Sequence, residues 1–215
     1  MSLDHSPKLS ELMRPKTLDD LMLPRQIVEN LKHLSETSRL PHLIFYGTNG
    51  VGKTSAARIL TKRDNMHVEA KEFIDYKSEK LFIADIKKFL TMNTLFDEYK
   101  VCMLNEADMM SKMQQTAISN FVEQYEDSCR FILTTNHLEK LSRALQSRCV
   151  PICFDLAPSE HDSISQRLFD RYRVALQQLR YEFSETRLRE LIQIYLPDMR
   201  AVANRIDFEF KLPPT

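Results

Sequence analysis

Eight residues of this chain, GTNGVGKT from Gly47 to Thr54, carry the spacing G-x-x-x-x-G-K-[ST] of a loop that cradles a phosphate chain. All three glycines of the 215-residue sequence, Gly47, Gly50 and Gly52, fall inside it. Glycine tolerates positive φ and lets a ligand approach the backbone closely, so a chain this sparing with it has placed it where a phosphate must come near. Backbone N–H groups from Asn49 through Val51 to Thr54 are expected to form an anion nest at the start of the following helix, where unpaired donors and the helix dipole favour negative charge. Lys53 then reaches the β and γ phosphates, and the Thr54 hydroxyl ligates Mg2+. With Thr48 and Ser55 beside these residues, the stretch from 47 to 55 predicts binding of ATP.

A second group of polar residues sits where apolar runs end. KVCMLN leads into Asn105, Glu106 and Asp108, and FILTTN ends at Asn136. In a P-loop ATPase the first of these strands normally ends in an aspartate that helps hold the metal, followed in one large class by a glutamate that polarises the attacking water. Glu106 supplies the glutamate; Asn105 stands where the aspartate is expected. An amide oxygen still accepts a bond from metal-bound water but adds no negative charge. Restoring the aspartate is therefore expected to raise Mg2+-dependent turnover. Asp108 reads as a cap for the helix that follows. Asn136 is placed to touch the γ-phosphate and the attacking water, because strand ends on one edge of a parallel sheet converge on the ligand crevice. Arg148, in SRC at 147–149, is a candidate arginine finger offered in trans to a neighbouring subunit's γ-phosphate.

The elements that must position these groups alternate along the first three quarters of the chain. Helical spacing predicts helices over 26–38, after the phosphate loop, over 80–92 and over 111–126. Strands are expected at PHLIFYG, near 67–70, at KVCMLN, at CRFILTTN and at VPICFDL, which argues for an α/β fold with a parallel sheet flanked by helices. From Pro158 the pattern is helical only, over 159–180, 184–195 and 198–210, with Asp198 as an N-cap. The expected domains are therefore 1–155, binding ATP, and 156–215, a small all-helical lid.

Composition narrows the partners. With 43% hydrophobic residues the chain can bury a sizeable core, and 30 basic residues balance 30 acidic ones, so any nucleic-acid contact must come from a local patch. Cys102, Cys129, Cys149 and Cys153 form no C-x-x-C pair and read as buried free thiols of a reducing compartment. No apolar run approaches membrane-spanning length and the polar N-terminus has no signal-peptide pattern, which predicts a cytoplasmic, nucleoid or nuclear location.

Taken together these motifs resemble the AAA+ ATPases and, within them, the small ATPase subunits of sliding-clamp loaders, both replication factor C and its phage counterpart. ELMRPKTLDDLMLP at 11–24 is similar to the family segment that lies against the adenine, which implies that Met13, Arg14 and Pro15 border the base, Met13 replacing a tyrosine. GTNGVGKT matches Walker A, LNEAD Walker B with one change, TTN sensor 1 and SRC the arginine-finger motif. PDMR at 197–200 resembles sensor 2, making Arg200 a cis contact to the γ-phosphate. The resemblance implies a P-loop AAA+ fold, ATP and Mg2+ as cofactors, a ring of about five subunits, a sliding clamp and primer-template DNA as partners. It also makes Lys77, Lys80, Ser111 and Lys112, near helix starts, candidate DNA-phosphate contacts. The sequence ends at Thr215 without the third helical domain that forms the family's collar, so the resemblance does not imply stable pentamer formation by this polypeptide alone. Two further readings stand beside an active clamp loader: a slow or non-hydrolysing nucleotide-dependent scaffold subunit, suggested by Asn105, and an AAA+ initiator or transposition regulator.

Overall fold

In a computed structural model the described residues are 9–62, 69–73, 78–92 and 100–210. Five parallel strands form one sheet: β1 (Leu43–Tyr46), β2 (Glu69–Phe73), β3 (Lys100–Leu104), β4 (Cys129–Thr135) and β5 (Val150–Cys153), in the spatial order β2-β3-β4-β1-β5. β3 and β4 are buried along their whole length, as expected of parallel strands covered on both faces. The helices in chain order are α1 (Leu9–Leu12), α2 (Arg25–Glu36), α3 (Lys53–Thr61), α4 (Glu79–Thr91), α5 (Lys112–Gln124), α6 (Arg143–Arg148), α7 (His161–Gln178), α8 (Glu185–Tyr195) and α9 (Met199–Glu209). α1 and α6, one or two turns each, are too short to show a helical period in the sequence.

The described residues within 29–47 and 53–154 form one compact unit. On one face of its sheet Ile44, Cys102, Leu104, Phe131 and Leu133 pack against Phe82, Ile86 and Phe89 of α4 and Ile118 and Phe121 of α5. Two buried cations tie strand starts to neighbouring carbonyls. Lys100 Nζ donates to Phe89 O at 2.6 Å, to Leu90 O at 3.3 Å and to Met92 O, satisfying carbonyls at the end of α4. Arg130 Nε donates to Leu40 O at 2.6 Å. Both cations are buried, which such groups tolerate only when paired or hydrogen-bonded.

The described residues within 1–28, 48–52 and 155–215 form the other unit. Its core joins Leu9 of α1 to Ile164, Leu168, Phe169 and Tyr172 of α7, Leu188 and Ile192 of α8, and Val202 and Ile206 of α9. Asp198 caps α9 as expected, accepting from Arg200 N and Ala201 N at 2.9 Å each. The four cysteines are free, three of them buried, and burial pushes the Cys149 thiol up to about 12. No helix among the described residues is long and apolar enough to cross a membrane.

Candidate nucleotide site

Strand register brings the polar strand ends together. Tyr46 pairs with Thr135, so Gly47 emerges beside Asn136; Leu104 pairs with Leu133, so Asn105 emerges beside Thr134. Lys53, at the start of α3 and only 8% exposed, donates from Nζ to Gly47 O at 2.7 Å and Asn136 Oδ1 at 2.9 Å. The ammonium is thus fixed between Gly47, directly after β1, and Asn136, directly after β4. Asn105 Oδ1 accepts from Thr54 Oγ1 at 3.3 Å and Thr134 Oγ1 at 3.0 Å. The Thr54 hydroxyl and the Asn105 amide are hard oxygen donors in contact, and they fit Mg2+, which keeps several waters and takes few protein ligands beside substrate phosphates. Among the described residues no cluster of three or more His, Cys, Asp or Glu is placed to hold a metal ion.

Glu106 follows directly with φ 53° and ψ 45°, a left-handed conformation costly for a residue with a Cβ. Its backbone N–H donates to Thr134 Oγ1 at 3.2 Å, which helps hold the turn, and its side chain is exposed. Thr134 therefore orders both Asn105 and Glu106. Its signal in the sequence was the hydroxyl pair Thr134 and Thr135 directly after the apolar run Phe131–Ile132–Leu133. Asp108 is not a helix cap. Ser111 caps α5, accepting from Gln114 N at 3.2 Å, while the Asp108 carboxylate accepts from Thr135 Oγ1 at 2.9 Å and Asn136 N at 3.4 Å. Asp108 thus braces the end of β4 where Asn136 sits. Two more residues not foreseen complete the cluster: the Glu72 carboxylate, on β2, accepts from Asn105 Nδ2 and is held by Arg58.

Arg148 stands apart from this group. At the end of α6 its guanidinium donates to Ala144 O at 3.1 Å and to Glu123 Oε2 on α5 at 2.8 Å, at the surface. Among the candidate DNA contacts, Lys80 and Lys112 are exposed in the first turns of α4 and α5, and the Ser111 hydroxyl donates to the Glu79 carboxylate. Lys77 lies outside the described residues.

The remaining candidates belong to the other unit. Met13 packs against its helical core, Pro15 is half-buried and Arg14 is exposed. Two arginines of α7 hold this segment by its carbonyls: Arg171 donates to Asp20 O at 2.6 Å and Met13 O at 3.4 Å, and Arg167 to Leu23 O at 2.9 Å. Within the loop the Thr48 N–H is bound by the Asp155 carboxylate at 2.6 Å, and Met199 N donates to Gly50 O at 3.2 Å. Gly50 has φ +74°, and a Cβ there would lie 1.8 Å from Asp198 Oδ1, so backbone conformation and packing both require glycine. Asn49 and Arg200 are exposed, Val51 is buried and Gly52 is intermediate; Ser55, which belongs to the unit that holds the sheet, is also intermediate.

A parallel sheet with a phosphate loop between β1 and α3 and polar residues at the ends of β3 and β4 defines a P-loop ATPase. The profile of the AAA family, the ATPase family associated with various cellular activities, matches residues 43–155, more than half of the sequence, and the chain belongs to that family. Replication factor C subunit 5 of Arabidopsis thaliana is 32% identical over 202 residues, covering 90% of this chain and 53% of the relative. Replication factor C subunit 3 of Saccharomyces cerevisiae is 30% identical over 201 residues, covering 90% and 57%. The chain thus spans about half the length of the curated relatives it matches. Among solved structures, Thermotoga maritima RuvB has the same fold, with a TM-score of 0.64 at 20% identity, covering 91% of this chain and 64% of that one.

Proposed function

We propose that the chain is an ATPase subunit of a sliding-clamp loader, coupling ATP binding and hydrolysis to placement of a clamp on primer-template DNA at a replication site. The observation that carries this reading is the bonded set Lys53, Thr54, Asn105 and Asn136 at the strand ends, in a chain whose relatives are replication factor C subunits. Lys53 holds the β and γ phosphates, Asn136 orients the attacking water, and Glu106 polarises it. Mg2+, when bound through Thr54 and Asn105, neutralises charge on the phosphate oxygens. By motif, Arg200 contacts the γ-phosphate of its own subunit and Met13, Arg14 and Pro15 border the base. Residues 156–215 act as the lid domain, and Lys80, Ser111 and Lys112 offer phosphate contacts to DNA. The competing reading, a nucleotide-binding scaffold that hydrolyses slowly or not at all, is favoured by the missing charge at Asn105.

Calorimetry of ATP binding, followed by steady-state ATPase with partner subunits, clamp and primed DNA, tests both. The clamp-loader reading expects ATP binding that Lys53→Ala abolishes and turnover that clamp and DNA stimulate. Equal binding by wild type and Lys53→Ala overturns the site, whereas binding without stimulated turnover selects the scaffold.

A further inference from the structure

We infer that Glu72 is the positioning residue for Asn105: from the adjacent strand it fixes the amide so that its oxygen faces Thr54, and it returns to the cluster the carboxylate that β3 lacks. The inference rests on the nucleotide-site reading above.

An asparagine side chain offers an acceptor on one side and a donor on the other, and its rotation by half a turn exchanges them. Thr54 and Thr134 do not decide between the two orientations, since a hydroxyl donates or accepts as required. Glu72 does, because an ionised carboxylate only accepts. The Asn105 NH2 must point to it, and Oδ1 is thereby turned toward Thr54 Oγ1 and Thr134 Oγ1. Glu72 is itself immobilised by a two-pronged pair, from Arg58 Nε to Oε2 at 2.9 Å and from Arg58 Nη2 to Oε1 at 2.8 Å. Arg58 lies one turn beyond Thr54 on α3. A closed sequence of contacts therefore runs from the metal-ligating hydroxyl through Asn105 and Glu72 back to the helix that carries Thr54. Register permits it: Phe73 pairs with Leu104, and Asn105 N donates to Phe73 O at 3.1 Å.

This arrangement changes what restoring the aspartate should do. Asn105→Asp sets a second carboxylate against Glu72 where a donor stood, and two like charges at hydrogen-bonding distance oppose each other's ionisation. The single substitution then loses the Glu72 contact without gaining a well-placed anion for the metal. Glu72→Gln alone removes the group that fixed the amide. Combined, the two substitutions invert the pair: the amide introduced on β2 donates from the Oε1 side while its oxygen keeps the bond from Arg58 Nε, Arg58 Nη2 giving up its acceptor to solvent, and the carboxylate introduced after β3 accepts and faces the metal.

ADP binding by calorimetry, in EDTA and across a Mg2+ titration, reads the effect without hydrolysis. Glu72→Gln and Asn105→Asp are each expected to reduce the gain in affinity brought by Mg2+ on the order of tenfold. The double variant is expected to return within about threefold of wild type, as coupled neighbours do. Affinity in EDTA is the reference from which each protein's own Mg2+ gain is read, and a denaturant melt of each variant separates positioning toward the metal from general damage to the fold. Additive losses in the double variant, or Asn105→Asp alone matching or exceeding wild type, overturn the role of Glu72; the latter decides the matter even if a Glu72 variant fails to fold. A wild-type protein that binds no ADP in either arm overturns the nucleotide site itself.

Discussion

Thr134 shows how much of the site depends on a residue that no phosphate touches. Its hydroxyl, 3% exposed, donates to Asn105 and accepts from the Glu106 backbone, so one oxygen couples Asn105, a proposed metal ligand, to Glu106, the glutamate proposed to polarise water. Thr134→Val keeps the shape and removes both bonds. Leaving the Glu106 N–H without this acceptor is expected to cost about 1–3 kcal/mol in a denaturant melt. Turnover should fall on the order of 10- to 100-fold, as when an outer partner of a metal ligand is lost, while nucleotide affinity in EDTA stays unchanged. Turnover equal to wild type would show that Glu106 holds its left-handed turn without Thr134. That Lys53 would lie with Asn136, and Thr54 with Asn105, was legible in the sequence, because the phosphate-loop motif and the polar ends of apolar strands mark these positions. Thr134, Glu72 and the bracing role of Asp108 were not, because each acts through a partner about 30 residues away that only strand register brings near.

At the scale of elements, four strands and the longer helices announced themselves through apolar runs and helical spacing, and the parallel order followed from their alternation; β2, EAKEF, has no apolar run, and of the strand expected near 67–70 only 69 and 70 lie among the described residues. Helices α1 and α6 did not announce themselves, and the helix expected after Pro158 opens with a 3-10 turn over Pro158–Glu160 before α7 begins. Individual buried polar groups at strand starts were equally silent. His42, directly before β1, accepts from Phe131 N at Nδ1 at 3.1 Å, and its Nε2 is buried with no partner among the described residues. Burial, reinforced by the charge of Arg130, lowers its pKa from 6.5 to about 4. A base with a depressed folded pKa leaves the unfolded chain holding more protons between those two values. Its neutral form therefore contributes stability that is complete above pH 6.5 and is lost as pH falls toward 4. The loss attributable to His42 should reach about 2 kcal/mol by pH 5. His42→Asn, whose amide oxygen can replace Nδ1 as acceptor, should flatten this dependence in urea melts at about pH 7 and pH 5. An unchanged slope in the variant would place the titration elsewhere.

At the scale of the whole molecule the open element is Arg148, which the structure sets on the α6 surface rather than among the residues around Lys53. A finger that serves another subunit must be exposed in its own chain and held ready. Arg148 is both, since Ala144 O and the Glu123 carboxylate fix the guanidinium at the surface. Exposed pairs of this kind contribute little to stability, about 0–1 kcal/mol, so Arg148→Ala should leave folding nearly intact. ATP binding to the same subunit should also persist, because Lys53 and Thr54 make their contacts within one chain. Hydrolysis stimulated by clamp and DNA should instead drop by about 10³-fold or more, the scale of a full arginine-finger effect. Mixing supplies the decisive comparison. An Arg148→Ala subunit keeps an intact catalytic site, and a Glu106→Gln subunit keeps an intact arginine, so a mixed assembly should recover turnover that neither shows alone. With co-assembly verified by size, absence of recovery would assign Arg148 to packing or to its own subunit's chemistry. Recovery that scales with the fraction of mixed neighbours would establish that each site is completed by the next chain.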